Sequence, residues 1–151
     1  MSQSLDQIYL HLVFSTKDRH PLLREKTYLS DAHEILGGIC NNLGCPNLKV
    51  GGVADHVHIL CRLGRSISVS DFVKELKRQS SLELKTISKD LADFYWQKGY
   101  GAFSISPGHV EALLAYITNQ EVHHLKETFQ DEYRRLLTIY KLEWDERYVW
   151  D

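Results

Sequence analysis

A chain of 151 residues, 43% hydrophobic and 25% charged, has the make-up of a globular protein with a real core, and no apolar run nears the roughly 18 residues of a membrane-spanning helix. A net charge of −2 argues against a nonspecific nucleic-acid coat. Met1 to Gln7 has no basic stretch followed by an apolar one, so no export signal and a cytoplasmic location are expected.

The first predicted element is a strand from Gln7 to Thr16, where Ile8, Leu10, Leu12 and Phe14 alternate. Pro21 opens a helical stretch over residues 22–42, closed near Asn41-Asn42-Leu43-Gly44. Leu48 to Val53 reads as a second strand. Ala54-Asp55 makes a tight connection into a third, which runs from His56 to about Leu63. Ser68 or Ser70 can cap a helix to about residue 91, with Val69, Phe72, Val73, Leu76, Leu84, Ile87 and Leu91 on one stripe. Ala102 to Ser106 is a short last strand. Ser106-Pro107-Gly108 ends it and introduces a helix from about His109 to Phe129, and the remaining tail, rich in Trp and Tyr, reads as helical or irregular. The order β-α-β-β-α-β followed by helix predicts an α+β, ferredoxin-like split arrangement in one domain over residues 1–151. Its antiparallel sheet is expected to carry helices on one face and leave the other open, with an added C-terminal helix bearing Tyr116.

The three cysteines, Cys40, Cys45 and Cys61, lack Cys-x-x-Cys spacing and read as free thiols. Charge is unevenly spread: residues 62–89 carry a net +4 and residues 121–151 a net −3. Lys74, Lys77, Arg78 and Lys85 fall opposite the apolar stripe of their helix, a candidate phosphate footprint, although a solvated helix face has the same pattern.

The most informative stretch is His56-Val57-His58 inside an apolar, β-branched run. On a strand, residues i and i+2 share a face, so the two imidazoles project together and are expected to leave the core, while Val57, Ile59 and Cys61 enter it. A co-facial imidazole pair can begin a divalent metal site, and it is also an ordinary sight on a solvated sheet face. A second group sits on the predicted helix 109–129. Its apolar stripe is Val110, Leu114, Ile117 and Leu125, and Tyr116, Gln120, His123 and Glu127 fall on a different face at about 100° per residue. Two imidazoles and the Gln120 amide oxygen can hold Mg²⁺ or Mn²⁺. The Tyr116 hydroxyl, one helical turn from Gln120, can then act as nucleophile on a phosphodiester.

His-hydrophobe-His on a strand, followed by Tyr-x-x-x-Gln on a helix, resembles the single-tyrosine HUH transposases of bacterial insertion sequences and their REP-associated tyrosine transposase relatives. The resemblance also covers His11-Leu12-Val13-Phe14-Ser15-Thr16-Lys17, Phe72-Val73-Lys74-Glu75-Leu76-Lys77 and Trp96 to Ser104, and ends with Tyr116 to His124. It implies metal-dependent cutting and rejoining of single-stranded DNA at transposon ends, guided by hairpins, by a homodimer. It implies His56, His58 and Gln120 as ligands of Mg²⁺ or Mn²⁺ and Tyr116 as the nucleophile that takes the 5′ phosphate. His123 is a secondary candidate, and Lys17, Lys74, Lys77, Arg78 and Lys85 are candidate contacts to the DNA backbone.

Three rivals share parts of this pattern. Lys98-Gly99-Tyr100-Gly101-Ala102-Phe103 partly matches the first consensus of RNA-recognition modules, but Ala102 and Ile105 stand where stacking aromatics belong. A domesticated relative that binds or processes host repeat hairpins without transposition would keep the same site. A hydrolase using water in place of Tyr116 would release product without a covalent adduct.

Overall fold

The computed structural model describes residues 2–151. Strands β1 (Tyr9–Ser15), β2 (Asn47–Val53), β3 (His56–Arg62) and β4 (Gly101–Ile105) form an antiparallel sheet in the order β2-β3-β1-β4. Helix α1 (Lys26–Asn42) joins β1 to β2, and α2 (Val69–Ile87) joins β3 to β4. This is the ferredoxin-like α+β arrangement. Val53 pairs with His56, so Ala54 and Asp55 alone make the β2–β3 turn and set the register of the histidine strand.

The alternating apolar residues build the first layer. Leu10, Leu12 and Phe14 of β1 and Val57, Ile59 and Cys61 of β3 pack on Leu36, Ile39 and Cys40 of α1 and Phe72, Val73, Leu76 and Leu84 of α2. Cys40, Cys45 and Cys61 are buried free thiols. Two helix bounds differ from expectation. Residues 22–25 precede α1, because the Leu23 N–H bonds to the Ala54 carbonyl at 3.0 Å and ties this turn to the β2–β3 connection. Ser68 caps α2 as expected, but the extended backbone of Ser88 stops it at Ile87, and Lys89–Leu91 form a separate 3₁₀ turn.

The opposite face of the sheet is not open. The helix expected over 109–129 breaks at Asn119 (φ −93, ψ 16) into α3 (Val110–Thr118) and α4 (Gln120–His123). The tail resolves into α5 (Phe129–Ile139), capped by Thr128, whose hydroxyl accepts from the Asp131 N–H at 3.2 Å. These helices cover the second face. Val110 and Ile117 pack on Leu60, and Phe129, Tyr133, Leu136 and Leu137 pack on Val13 and Phe103. Burying an aliphatic or aromatic side chain is worth roughly 1.5–3 kcal/mol, so the four on α5 make it part of the core and not a loosely docked tail. Strands β1 and β3 are consequently buried on both faces, and His56 and His58 are 0% exposed. Leu125, placed on the apolar stripe by helical spacing, is 82% exposed, because the chain has left the helix before it. No described helix is long and apolar enough to cross a membrane.

Where α3 crosses β2 the contact needs a glycine. A Cβ on Gly51 would stand 2.6 Å from Ile117 Cγ2 and 2.8 Å from the Ile117 carbonyl oxygen. Gly51→Ala is therefore expected to cost about 1–3 kcal/mol in denaturant unfolding. Gly38→Ala, on an exposed face of α1 with open space around it, is expected to gain about 0.5–1 kcal/mol. A neutral Gly51→Ala would mean that α3 does not sit on β2.

Candidate active site

Five elements converge on the second face of the sheet. Strand β3 presents His56 and His58, two residues apart and therefore co-facial. Neighbouring β1 presents His11, whose ring stacks on His58 with centroids 5.1 Å apart. Helix α3 brings Tyr116, α4 brings Gln120 and, at its C-cap, His124, and α5 brings Glu132. The break at Asn119 turns Gln120 inward, and its side chain is 1% exposed.

Glu132 is the centre of the arrangement and is itself fully buried. Its Oε1 lies 3.2 Å from His56 Nε2, 3.0 Å from His58 Nε2 and 3.0 Å from His124 Nε2. Its Oε2 accepts hydrogen bonds from the Gln120 amide at 3.0 Å and from the Tyr116 hydroxyl. The Gln120 Oε1 faces His56 Nε2 at 3.1 Å. Each strand histidine also has a partner on its other ring nitrogen. His56 Nδ1 meets Asp55 Oδ1 at 2.8 Å, and His58 Nδ1 meets His11 Nε2 at 2.8 Å.

These contacts set the charges. Burial opposes charge on His56, but the hydrogen bonds to Asp55 and Glu132 outweigh it and raise its pKa to about 9. Burial dominates at His58 and lowers its pKa to about 4, against the pull of Glu132. His58 is thus neutral, donates Nε2–H to Glu132 and accepts at Nδ1 from His11. Burial disfavours the Glu132 carboxylate, yet the hydrogen bonds from His124, His56 and His58 keep it well below the usual range. Tyr116 moves the other way: burial and the adjoining carboxylate raise its phenol pKa, with Arg135 opposing. Arg135 Nη2 donates to the Tyr116 oxygen at 2.8 Å and is itself anchored on Glu127 at 3.0 Å. Glu127 also meets His123 Nε2 at 2.7 Å.

The donor set fits a divalent cation. Donor atoms of His56, His58, His124 and Glu132 all lie within 4.8 Å of one another. Neighbouring ligands of an octahedral ion stand roughly 3 Å apart when each is ~2.1 Å from it, and the Glu132 distances match that edge. A ligating histidine must present a lone pair at Nε2 and donate at Nδ1; Asp55 stands ready to accept from His56, and at His58 a bound ion would require the His58–His11 pair to exchange tautomers.

Of the residues singled out in the sequence, His56, His58, Tyr116, Gln120 and His123 come together here. The basic residues of α2 do not, because α2 packs on the other face of the sheet. Lys77 Nζ donates to the carbonyls of Gln97, Lys98 and Gly99 at 2.8, 3.3 and 2.6 Å, which uses all three of its protons, and burial lowers its pKa to about 8. Arg78 is paired with Glu75 at 2.7 Å. Lys85 Nζ stands 3.9 Å over the Tyr95 ring, and Lys17 stands 6.0 Å over the same ring. Lys74 lines the groove beside Tyr95 and Tyr100.

Sequence reasoning placed Glu127 on the Tyr116 face, and it missed His11, Asp55, His124, Glu132 and Arg135 as members of the site. One signal was available for Glu132. Phe129, Tyr133, Leu136 and Leu137 form a stripe at helical spacing, and Glu132 is a carboxylate on that stripe. A charge on a buried stripe needs a partner.

Comparison with known proteins agrees with this geometry. The family model described as transposase IS200 like matches residues 4–120. No curated protein matches the chain. A crystal structure of a protein assigned as a transposase from Deinococcus radiodurans R1 superposes with a TM-score of 0.61 at 23% identity, over 80% of this chain and 98% of that one. A REP-associated tyrosine transposase, solved bound to a REP hairpin, superposes with a TM-score of 0.58 at 15% identity, over 82% of this chain and 74% of that one. The sheet order, the His-x-His strand running through it and the family match across most of the chain lead to one assignment: this protein belongs to the IS200-like transposases.

Proposed function

We propose that this transposase cuts and rejoins single-stranded DNA at hairpin-bearing transposon ends through a 5′-phosphotyrosine on Tyr116. One observation carries the reading: the Tyr116 hydroxyl and the Nε2 atoms of His56 and His58 converge on the same buried carboxylate. A nucleophile and a phosphate-activating group must lie within one phosphodiester of each other, and this convergence meets that need. His56, His58 and Gln120 would hold Mg²⁺ or Mn²⁺. When bound, the ion would polarise the phosphodiester and offset charge on the departing oxygen.

The chain's own residues do the rest. The Tyr116 oxygen attacks phosphorus, the bond from phosphorus to the 3′ oxygen breaks, and that oxygen leaves as a hydroxyl with a proton. The 5′ phosphate stays on tyrosine. Arg135, donating to the phenol oxygen, is placed to offset negative charge there as the phenol loses its proton. Rejoining is the reverse step, with a 3′ hydroxyl displacing Tyr116 from phosphorus. Because the tyrosyl ester conserves the energy of the phosphodiester, no external energy source is required. His123 orients this edge of the site through Glu127 and Arg135.

Hairpin DNA is the proposed partner, in keeping with the hairpin held by one structurally similar protein. Lys17, Lys74 and Lys85, grouped around Tyr95 on the other layer, are proposed contacts to flanking DNA and not to the scissile phosphate. Lys77 and Arg78 are already committed within the protein.

Wild type and Tyr116→Phe are to be incubated with end-labelled single-stranded hairpin DNA, with Mn²⁺, Mg²⁺ or chelator, and resolved on a denaturing gel. A metal-dependent protein–DNA adduct is expected in the wild type and not in the variant. Undiminished cutting by Tyr116→Phe would sink the tyrosine assignment in favour of a water-using hydrolase. His58→Ala is expected to abolish cutting and also to lower unfolding free energy by about 1–3 kcal/mol, because it strips a buried hydrogen bond from Glu132 and from His11. Full stability in that variant would place His58 outside the buried network. A homodimer is the proposed assembly, and a monomer mass in light scattering would refute it. Tyr116 reaches the histidines of its own chain, so cutting itself would survive that outcome.

A further inference from the structure

Resting on the metal-dependent reading above, we propose that Glu132 and His124 are ligands of the same ion as His56 and His58, and that Glu132 ties that ion to the nucleophile. Both residues lie beyond the stretch 4–120 matched by the family model. The centre would thus be completed by the segment that follows Gln120.

Two observations carry the proposal. First, Glu132 Oε1 stands at nearly equal distances, 3.0–3.2 Å, from three imidazole Nε2 atoms that come from a strand and a helix cap. These edges are hydrogen bonds as they stand, and their length and common origin on one oxygen also fit neighbouring ligands of one ion. A carboxylate recruited only to neutralise a single histidine has no reason to be shared three ways. Second, the other oxygen of the same carboxylate accepts from the Tyr116 hydroxyl and the Gln120 amide. Glu132 is therefore a positioning residue for Tyr116 as well as a ligand.

A competing account makes Glu132 a plug that holds the phosphate position until DNA displaces it. Displacement would require α5 to lift, and α5 is seated by Phe129, Tyr133, Leu136 and Leu137 in the second core layer. A helix so anchored serves as a permanent ligand arm better than as a lid. Three imidazoles also suit a transition ion better than Mg²⁺, which makes Mn²⁺ the appropriate probe.

The test is Mn²⁺ binding to the full chain without DNA, by calorimetry, for wild type, Glu132→Gln, His124→Ala and His56→Ala, each first checked by thermal melting. Glu132→Gln keeps the shape and removes the anionic ligand. Its Mn²⁺ affinity, and that of His124→Ala, should fall on the order of 10–100-fold. Should Glu132→Gln melt early, His124→Ala carries the test, since that side chain lies at the rim with 10% exposure. Unchanged or tighter binding in Glu132→Gln and His124→Ala, with binding lost in His56→Ala, would overturn this proposal and leave the histidine site standing. A wild type that binds no Mn²⁺ would overturn both.

Discussion

A carboxylate, two imidazoles and an amide are held out of water between one face of the sheet and the C-terminal helices, with a third imidazole and a phenol partly buried at the rim, and the Glu132 hydrogen bonds make that burial tolerable. An isolated carboxylate in such a place would be expelled or neutralised. Here Oε1 is shared by three imidazoles and Oε2 by Tyr116 and Gln120, so the anion is satisfied from every side. The same logic runs outward. His56 is backed by Asp55 and His58 by His11, while Arg135 is backed by Glu127. Breaking a buried pair of this kind leaves an uncompensated charge, which is far more costly than replacing the whole group by apolar residues.

The two layers divide the work. Leu12, Phe14, Val57, Ile59 and the inner stripes of α1 and α2 form a dry core that fixes the sheet. The second face holds smaller apolar groups around a polar centre, with α5 anchored at Phe129, Tyr133, Leu136 and Leu137. A polar centre mounted on central strands and backed by a full hydrophobic layer keeps its geometry, which suits the proposed chemistry of placing a nucleophile against one phosphorus. The basic residues of α2 lie beyond the sheet from this centre. A DNA molecule touching both would have to pass around an edge of the protein.

The proposed nucleophile, Tyr116, is held as a neutral phenol. Burial and the Glu132 carboxylate both disfavour the phenolate, while the Arg135 guanidinium favours it. In the proposed reaction that balance would keep Tyr116 a poor nucleophile until something shifts charge near Glu132. A divalent cation beside that carboxylate would do so, which links occupation of the centre to readiness of the nucleophile.

Sequence alone determined the succession of elements, the two helices of the first layer and the co-facial pair His56 and His58, because each rests on a local period, whereas the meeting of that pair with Tyr116 and Gln120 followed from the family resemblance. Residues two apart on a strand share a face, and residues four apart on a helix stack one turn above another. It also led, through the same local logic, to an open sheet face. His56 and His58 read as standing on that face because nothing in the neighbouring sequence says what covers them. Only the tertiary structure decided that α3, α4 and α5 fold back over that face, that the helix breaks at Asn119 to turn Gln120 inward, and that Glu132 arrives among histidines 74 and 76 residues away in the chain. A contact between distant segments leaves no period in the sequence. Its one local trace here is the carboxylate set on the apolar stripe of α5, whose meaning depends on what stands opposite it.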